Sequence, residues 1–181
     1  MGVQASPPGA YSRFRTPPGN ICEAGYNLRA NHLGARVQAV HAAFAAQSGT
    51  RAISRERDSQ QRSLIPADLS APNGNGIPVA ALTLTDLIEQ YNLPQIDLLK
   101  MDIEGSEWEV LHSTPESTLH RIRRIQFEYH EVHARFGYSR KALFDYLQST
   151  GYALTHCEED REHTGIAILE RPRQSAVSRV A

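Results

Sequence analysis

The stretch IDLLKMDIEGSEWEVL, residues 96–111, decides how the chain reads. Ile96, Leu98, Leu99 and Met101 make a nearly continuous apolar run, the pattern of a strand covered on both faces. Asp102 and Glu104 follow at its end, and Gly105 allows a sharp turn or a close ligand approach. Ser106 and Glu109 have the spacing of a capping box and open a helix, with Trp108 and Leu111 turned to the core. In an open α/β sheet, ligands sit outside the carboxyl ends of the strands. The acidic turn is therefore the first candidate site.

Reading outward, the same alternation of strand and helix continues. Ile77 to Leu82 is a short apolar strand, and Leu84, Leu87, Ile88 and Tyr91 then share one helical face. Thr83 or Thr85 can cap that helix, and Pro94 marks its end. Downstream, Ile122 to Tyr129 is a strand, and Ser139 caps a helix with Leu143, Phe144 and Leu147 inward. Tyr152 to Thr155 and Ile166 to Leu169 are two closing strands joined through CEEDREH. Upstream, ICEAGYNLRAN (21–31) can hold a short helix, RVQAVHAAF (36–44) a strand, and Arg51 to Arg57 a polar strand. Residues 58–75, rich in Ser, Gln, Pro, Asn and Gly, read as a long loop.

These elements predict an α/β domain, mostly parallel, with a C-terminal antiparallel hairpin. The expected limits are a disordered leader over 1–20, where PPG occurs twice, a domain over 21–171 and a flexible tail over 172–181. The chain has 181 residues, 40% of them apolar, enough for one real core. A net charge of -1 gives no electrostatic case for nucleic acid or an anionic membrane. Cys22 and Cys157 are too few for a disulfide framework and fit a reducing, cytoplasmic setting. No apolar run reaches the roughly 18 residues of a membrane helix.

Two side-chain groups carry candidate chemistry. Asp102 can accept hydrogen bonds from a ligand amine or hydroxyl, or take a proton from an attacking hydroxyl. Lys100, two residues back, can pair with it or project into the site. Glu104, Glu107 and Glu109 are also favourable near a helix N-terminus for dipole reasons alone. The second group ends the next strand: Glu128 and His130 share a face, and His130 is a candidate general base. If the two strands are parallel neighbours, both groups lie on one edge. Asp102 with Glu104 also permits a hard cation. His130-x-x-His133 finds no complete zinc set, since His156, Cys157 and His163 lack a recognised spacing. The sites are read without a metal.

LTLTDLIEQYNLPQIDLLKMDIEGSEWEVL (82–111) resembles the core signature of FkbM-type methyltransferases, which depend on S-adenosylmethionine. IRRIQFEYHE (122–131) and GYALTHCEED (151–160) resemble the following strands, and NLRANHLGARVQAVHAAFAAQSGT (27–50) the preceding helix and strand. The likeness runs from about Ala24 to Glu170. It implies a Rossmann-like sheet and methyl transfer to an oxygen of a small-molecule, glycan or lipid acceptor. It also implies that Asp102 and Glu104 are the acidic pair after the strand. His41 and Ala42 fall on the adenine side, and Glu128 and His130 on the acceptor side.

The likeness has a departure. Such enzymes carry a Gly-rich loop and an acidic strand end upstream of the matched helix; here a Pro/Gly leader stands there, with Glu23 the one acidic residue before position 56. The chain thus resembles the C-terminal part of the enzyme, and edges left open would favour a homo-oligomer. Three functions compete: an O-methyltransferase, a non-catalytic binding module keeping the second half of the fold, and a small metal-dependent enzyme using Asp102 and Glu104.

Overall fold

The computed structural model describes residues 2–5, 10–14, 18–53, 77–103, 106–130, 139–159 and 164–172. Side chains are described from Glu23 onward, except at His130, Glu159 and Thr164. The loop expected at 58–75 and most of the tail expected at 172–181 lie outside these residues.

The elements in chain order are β1 (Gly2–Ala5), β2 (Ala10–Phe14), α1 (Pro18–Ala30), β3 (Val37–Val40), β4 (Ala43–Phe44), β5 (Gly49–Ile53), β6 (Ile77–Leu82), α2 (Leu84–Gln90), β7 (Ile96–Met101), α3 (Glu107–Ser113), α4 (Glu116–Leu119), β8 (Ile122–His130), α5 (Arg140–Ser149), β9 (Ala153–Glu159) and β10 (Thr164–Glu170). A seven-stranded sheet has the order β3-β2-β1-β7-β8-β10-β9, and a three-stranded sheet the order β4-β6-β5. Pairing is parallel for β2–β3, β4–β6 and β7–β8 and antiparallel for the other five described pairs. The fold is mixed α/β, and the expectation of a mostly parallel sheet is corrected. The antiparallel pairs β1–β2 and β9–β10 join strands consecutive in the chain, whereas a parallel pair needs a crossover. The closing antiparallel hairpin, β9–β10, is as expected.

The N-terminal stretch also differs from its reading. β1 and β2 form a hairpin, and β1 lies against β7. An unpaired strand edge presents a row of free N–H and C=O groups, and β1 covers it along Ile96–Lys100. α1 starts at Pro18, inside the expected leader. Proline suits a first helical position because its missing N–H is not needed there.

β7 is not covered equally on its two faces. Leu99 and Met101 are buried beside Ile125 and Phe127 of β8, the face onto which α3 and α5 pack. The other face runs from buried Ile96 through half-buried Leu98 to exposed Lys100. Each fully buried side chain of this core stabilises by roughly 1.5–3 kcal/mol. α3 and α5 meet through aromatic rings: Trp108 stacks on His112 at 4.2 Å, and His112 meets Tyr146 at 4.7 Å.

Tyr152 locks the α4–β8 corner. Its buried hydroxyl lies 2.7 Å from the carbonyl oxygens of both Leu119 and Ile122, and burial holds its pKa far above the usual tyrosine value. Tyr129 bridges two strands: its hydroxyl donates to the Glu158 carbonyl at 2.8 Å, crossing Gly165 of β10. A Cβ at Gly165 would stand 1.9 Å from that carbonyl oxygen and 2.5 Å from the Tyr129 hydroxyl. Among the described residues, no helix is long and apolar enough to cross a membrane.

The caps hold two of the expected helices. Ser139 accepts from the Ala142 amide at 3.1 Å. Thr83 accepts from the Asp86 amide at 3.0 Å, and Asp86 in turn accepts from the Thr83 and Ser48 hydroxyls. These hydroxyl bonds, Ser48 first, depress the Asp86 pKa below its ordinary 3.8.

Two outcomes follow from these contacts. Gly165→Ala must push back either the Glu158 backbone or the Tyr129 ring; overpacking of this kind costs about 1–3 kcal/mol, readable in a urea melt. Because the folded pKa of Asp86 is lowered, its stabilising contribution is whole above the ordinary value of 3.8 and is lost as pH falls through the depressed one. Chemical melts of wild type and Asp86→Asn should therefore differ at neutral pH and converge as pH falls through the depressed pKa; a constant gap would contradict the network.

Candidate functional site

The parallel pairing of β7 and β8 ends at Met101↔Phe127. One residue further along each strand stand Asp102 and Glu128. Parallel partners share a face, so Asp102 and Glu128 both belong to the face opposite the core. Antiparallel register carries this row onward: Glu128 lies across from Ile166, and Ile166 across from Glu158. Three carboxylates therefore line one sheet edge around Ile166, whose side chain is 39% exposed. The row below, Lys100 and Gln126, is also polar.

The Asp102 side chain is 41% exposed, and its Oδ2 lies 3.8 Å from Lys100 Nζ. This is one of the two roles open to Lys100 from the sequence, and in water such a pair is a weak constraint. Glu128 is half-buried. His130 closes β8 opposite Thr164, and its imidazole lies outside the described side chains. Glu104 and Gly105 also lie outside the described residues, as do Glu131, His133 and His163.

His41 and Ala42 follow β3. β1 reverses the direction of β7, and β2 reverses it again, so β3 runs as β7 does. Its carboxyl end is thus on the edge of Asp102, three strand steps or roughly 14 Å away at about 4.8 Å per step. His41 is exposed, whereas Ala42 is 3% exposed and packed in the core with Phe44. Of the two, His41 alone offers surface to a ligand.

The helix after the acidic turn begins differently from its reading. Ser106 makes no side-chain cap hydrogen bond, so the capping box expected for Ser106 and Glu109 is corrected. Its ψ of 0° departs from the extended backbone that carries a capping hydroxyl back to the helix amides. Glu107 reaches back instead: its Oε1 accepts from the Ile103 amide at 2.7 Å. Sequence reasoning assigned Glu107 only a dipole role. The signal for more was the short interval between strand and helix, which leaves the first helical side chain facing the strand end. Glu158 was also missed, because only the register of β10 brings it into line with Glu128. Among the described residues, no three His, Cys, Asp or Glu side chains gather into a set able to hold a metal ion.

At this edge the chain presents carboxylates to a ligand from an exposed, polar sheet face. Such groups bind a cation or a hydroxyl donor and can accept a proton. The strand beside β7 is β1, which runs antiparallel to it, with Gly2 opposite Lys100.

Comparison with known proteins places the chain by its sequence. No solved structure matches the chain significantly. The 31-O-demethyl-FK506 methyltransferase FkbM of Streptomyces tacrolimicus is 34% identical over 64 residues, covering 35% of this chain and 25% of that protein. The chain thus spans about a quarter of the curated relative it matches. The model of the methyltransferase FkbM domain matches residues 9–154, most of the chain. With the strand, acidic turn and helix of 96–111 inside that match, the chain belongs to the FkbM methyltransferase domain family.

Proposed function

We propose that this chain binds S-adenosylmethionine at the Asp102–Glu128 edge and serves methyl transfer to a hydroxyl oxygen of a small-molecule, glycan or lipid acceptor. The observation that carries the reading is the juxtaposition of two cofacial carboxylates at neighbouring strand ends, within a methyltransferase family match. The relative in Streptomyces tacrolimicus is named for methylating a 31-O-demethyl substrate, which supports an oxygen acceptor.

The residues fit one part of the cofactor well. S-adenosylmethionine carries an ammonium and a sulfonium, and the row Asp102, Glu128 and Glu158 is rich in negative charge. A carboxylate here pairs with a cation at modest cost, because it is half in water. His41, on the same edge three strands away, is the candidate for the adenine side, and Glu104 completes the acidic pair in the sequence. No glycine-lined cradle for the rest of the cofactor is among the described residues of this edge.

When bound, S-adenosylmethionine supplies an electrophilic methyl carbon on a sulfonium sulfur. The protein's work is then to align the acceptor oxygen, exclude water and receive the hydroxyl proton. Asp102 holds the cationic end of the ligand. Glu128 and His130, both of β8, stand on the acceptor side, and either is a chemically suitable proton acceptor. A cytoplasmic setting fits this chemistry and the sparse cysteines.

One observation favours a second reading. The slot beside β7 is filled by a strand that runs antiparallel. A module that keeps the fold and binds without catalysing would look the same.

Calorimetric titration of the full chain with S-adenosylmethionine decides between them. The expected result is binding with a dissociation constant between roughly 1 μM and 1 mM. Asp102→Ala should weaken it by about 1.5–3 kcal/mol, the usual worth of a hydrogen bond to a charged group, or roughly 10- to 150-fold. No heat at saturating ligand from a folded chain would leave the binding-module reading. Equal affinity in the variant would remove Asp102 from the site.

A further inference from the structure

We propose that Glu107 is a positioning residue: its buried carboxylate, carried on α3, holds the Ile103 amide and thereby sets the direction in which Asp102 presents its own carboxylate. The inference rests on the reading of Asp102 as a ligand-holding group.

Asp102 has little of its own to orient it. The Lys100 ammonium stands 3.8 Å away, and both side chains are about half exposed, so their attraction is screened. What is firmly held is the next peptide. The carbonyl of Asp102 and the N–H of Ile103 lie in one rigid plane. That plane includes the Asp102 Cα and carbonyl carbon, so with the strand holding the Asp102 nitrogen, anchoring the N–H fixes the Cα–Cβ direction of Asp102. Ile103 is itself half-buried and packed on the core.

The anchor is Glu107 Oε1, 2.7 Å from the Ile103 nitrogen. A helix-dipole role does not account for this geometry. Such a role needs only a carboxylate near the first turn, and half-exposed Glu109 supplies one. Glu107 is 3% exposed. Burying a carboxylate is unfavourable unless hydrogen bonds to its charge compensate, and a backbone amide is a strong donor to an ionised oxygen. The support behind Glu107 is rigid: Val110 and Leu111 of α3 are buried, and the Val110 amide closes the first turn on Ser106 at 3.0 Å. A packed helix, one carboxylate and one peptide plane therefore connect the core to the acidic edge.

The test compares wild type, Glu107→Ala and Glu107→Gln as full chains, by amide exchange at Ile103 and by titration with S-adenosylmethionine. Glu107→Gln keeps an acceptor oxygen and guards against a variant that fails to fold. The expected result is Ile103 exchange roughly tenfold faster or more in Glu107→Ala, as one charged hydrogen bond is lost. Binding should weaken by a comparable factor, with Glu107→Gln restoring part of both. Unchanged exchange at Ile103 would overturn the proposal, and so would faster exchange with unchanged affinity. If wild type itself binds no S-adenosylmethionine, the cofactor reading fails rather than this one. The Asp102 carboxyl carbon resonance then decides: a shift in Glu107→Gln supports the positioning role, and an identical resonance overturns it.

Discussion

The parallel pairing of β7 with β8 is the constraint on which the rest depends. Its ladder runs from Ile96↔Ile122 to Met101↔Phe127 and is extended by the Ile96 amide bonding the Arg121 carbonyl at 2.8 Å. On one face it brings Leu99, Met101, Ile125 and Phe127 together under α3 and α5. A shift of one residue would turn that whole set outward, so the core fixes the register. The register in turn fixes the site, because Asp102 and Glu128 are simply the next residues on each strand. Ion pairs outside the core, Arg124 with Glu170 and Arg121 with Glu89, decorate this arrangement without determining it.

The candidate edge inherits its character from the asymmetry of the sheet. One face is sealed by helices, and the other carries Lys100, Asp102, Glu128 and exposed Ile166. A ligand can therefore meet carboxylates without opening the core. The N-terminal hairpin covers the outer edge of β7 with a strand that runs antiparallel to it. The chain belongs to the FkbM methyltransferase domain family, and Asp102 and Glu128 of this edge lie inside the matched residues. The hairpin gives this edge an antiparallel neighbour.

Much of this was legible in the residues. The apolar run before Asp102 marked β7, Thr83 and Ser139 marked two helix starts through caps that the structure contains, and the last two apolar runs marked the β9–β10 hairpin. What escaped reading depended on long-range partners. The placement of β1 and β2 depends on an open edge some ninety residues away, which no local pattern in a Pro/Gly segment encodes. Continuous apolarity in β7 suggested two covered faces, yet Leu98 is only half-buried. Ser106 looked like a capping residue, but its backbone angle and the reach of Glu107 to Ile103 decided otherwise. The alignment of Glu158 with Glu128 passes through a third strand and so lies beyond any spacing rule.

The central claim is that the carboxyl edge of the β7–β8 pair is where this FkbM-family chain takes its ligand. Backbone amide shifts followed during titration of the isotope-labelled full chain with S-adenosylmethionine test it most directly. The account predicts saturable shifts concentrated at Met101 to Ile103 and at Phe127 to Tyr129, with the buried centre of the sheet quiet. Shifts confined to other parts of the chain, or none at saturating ligand, would contradict it.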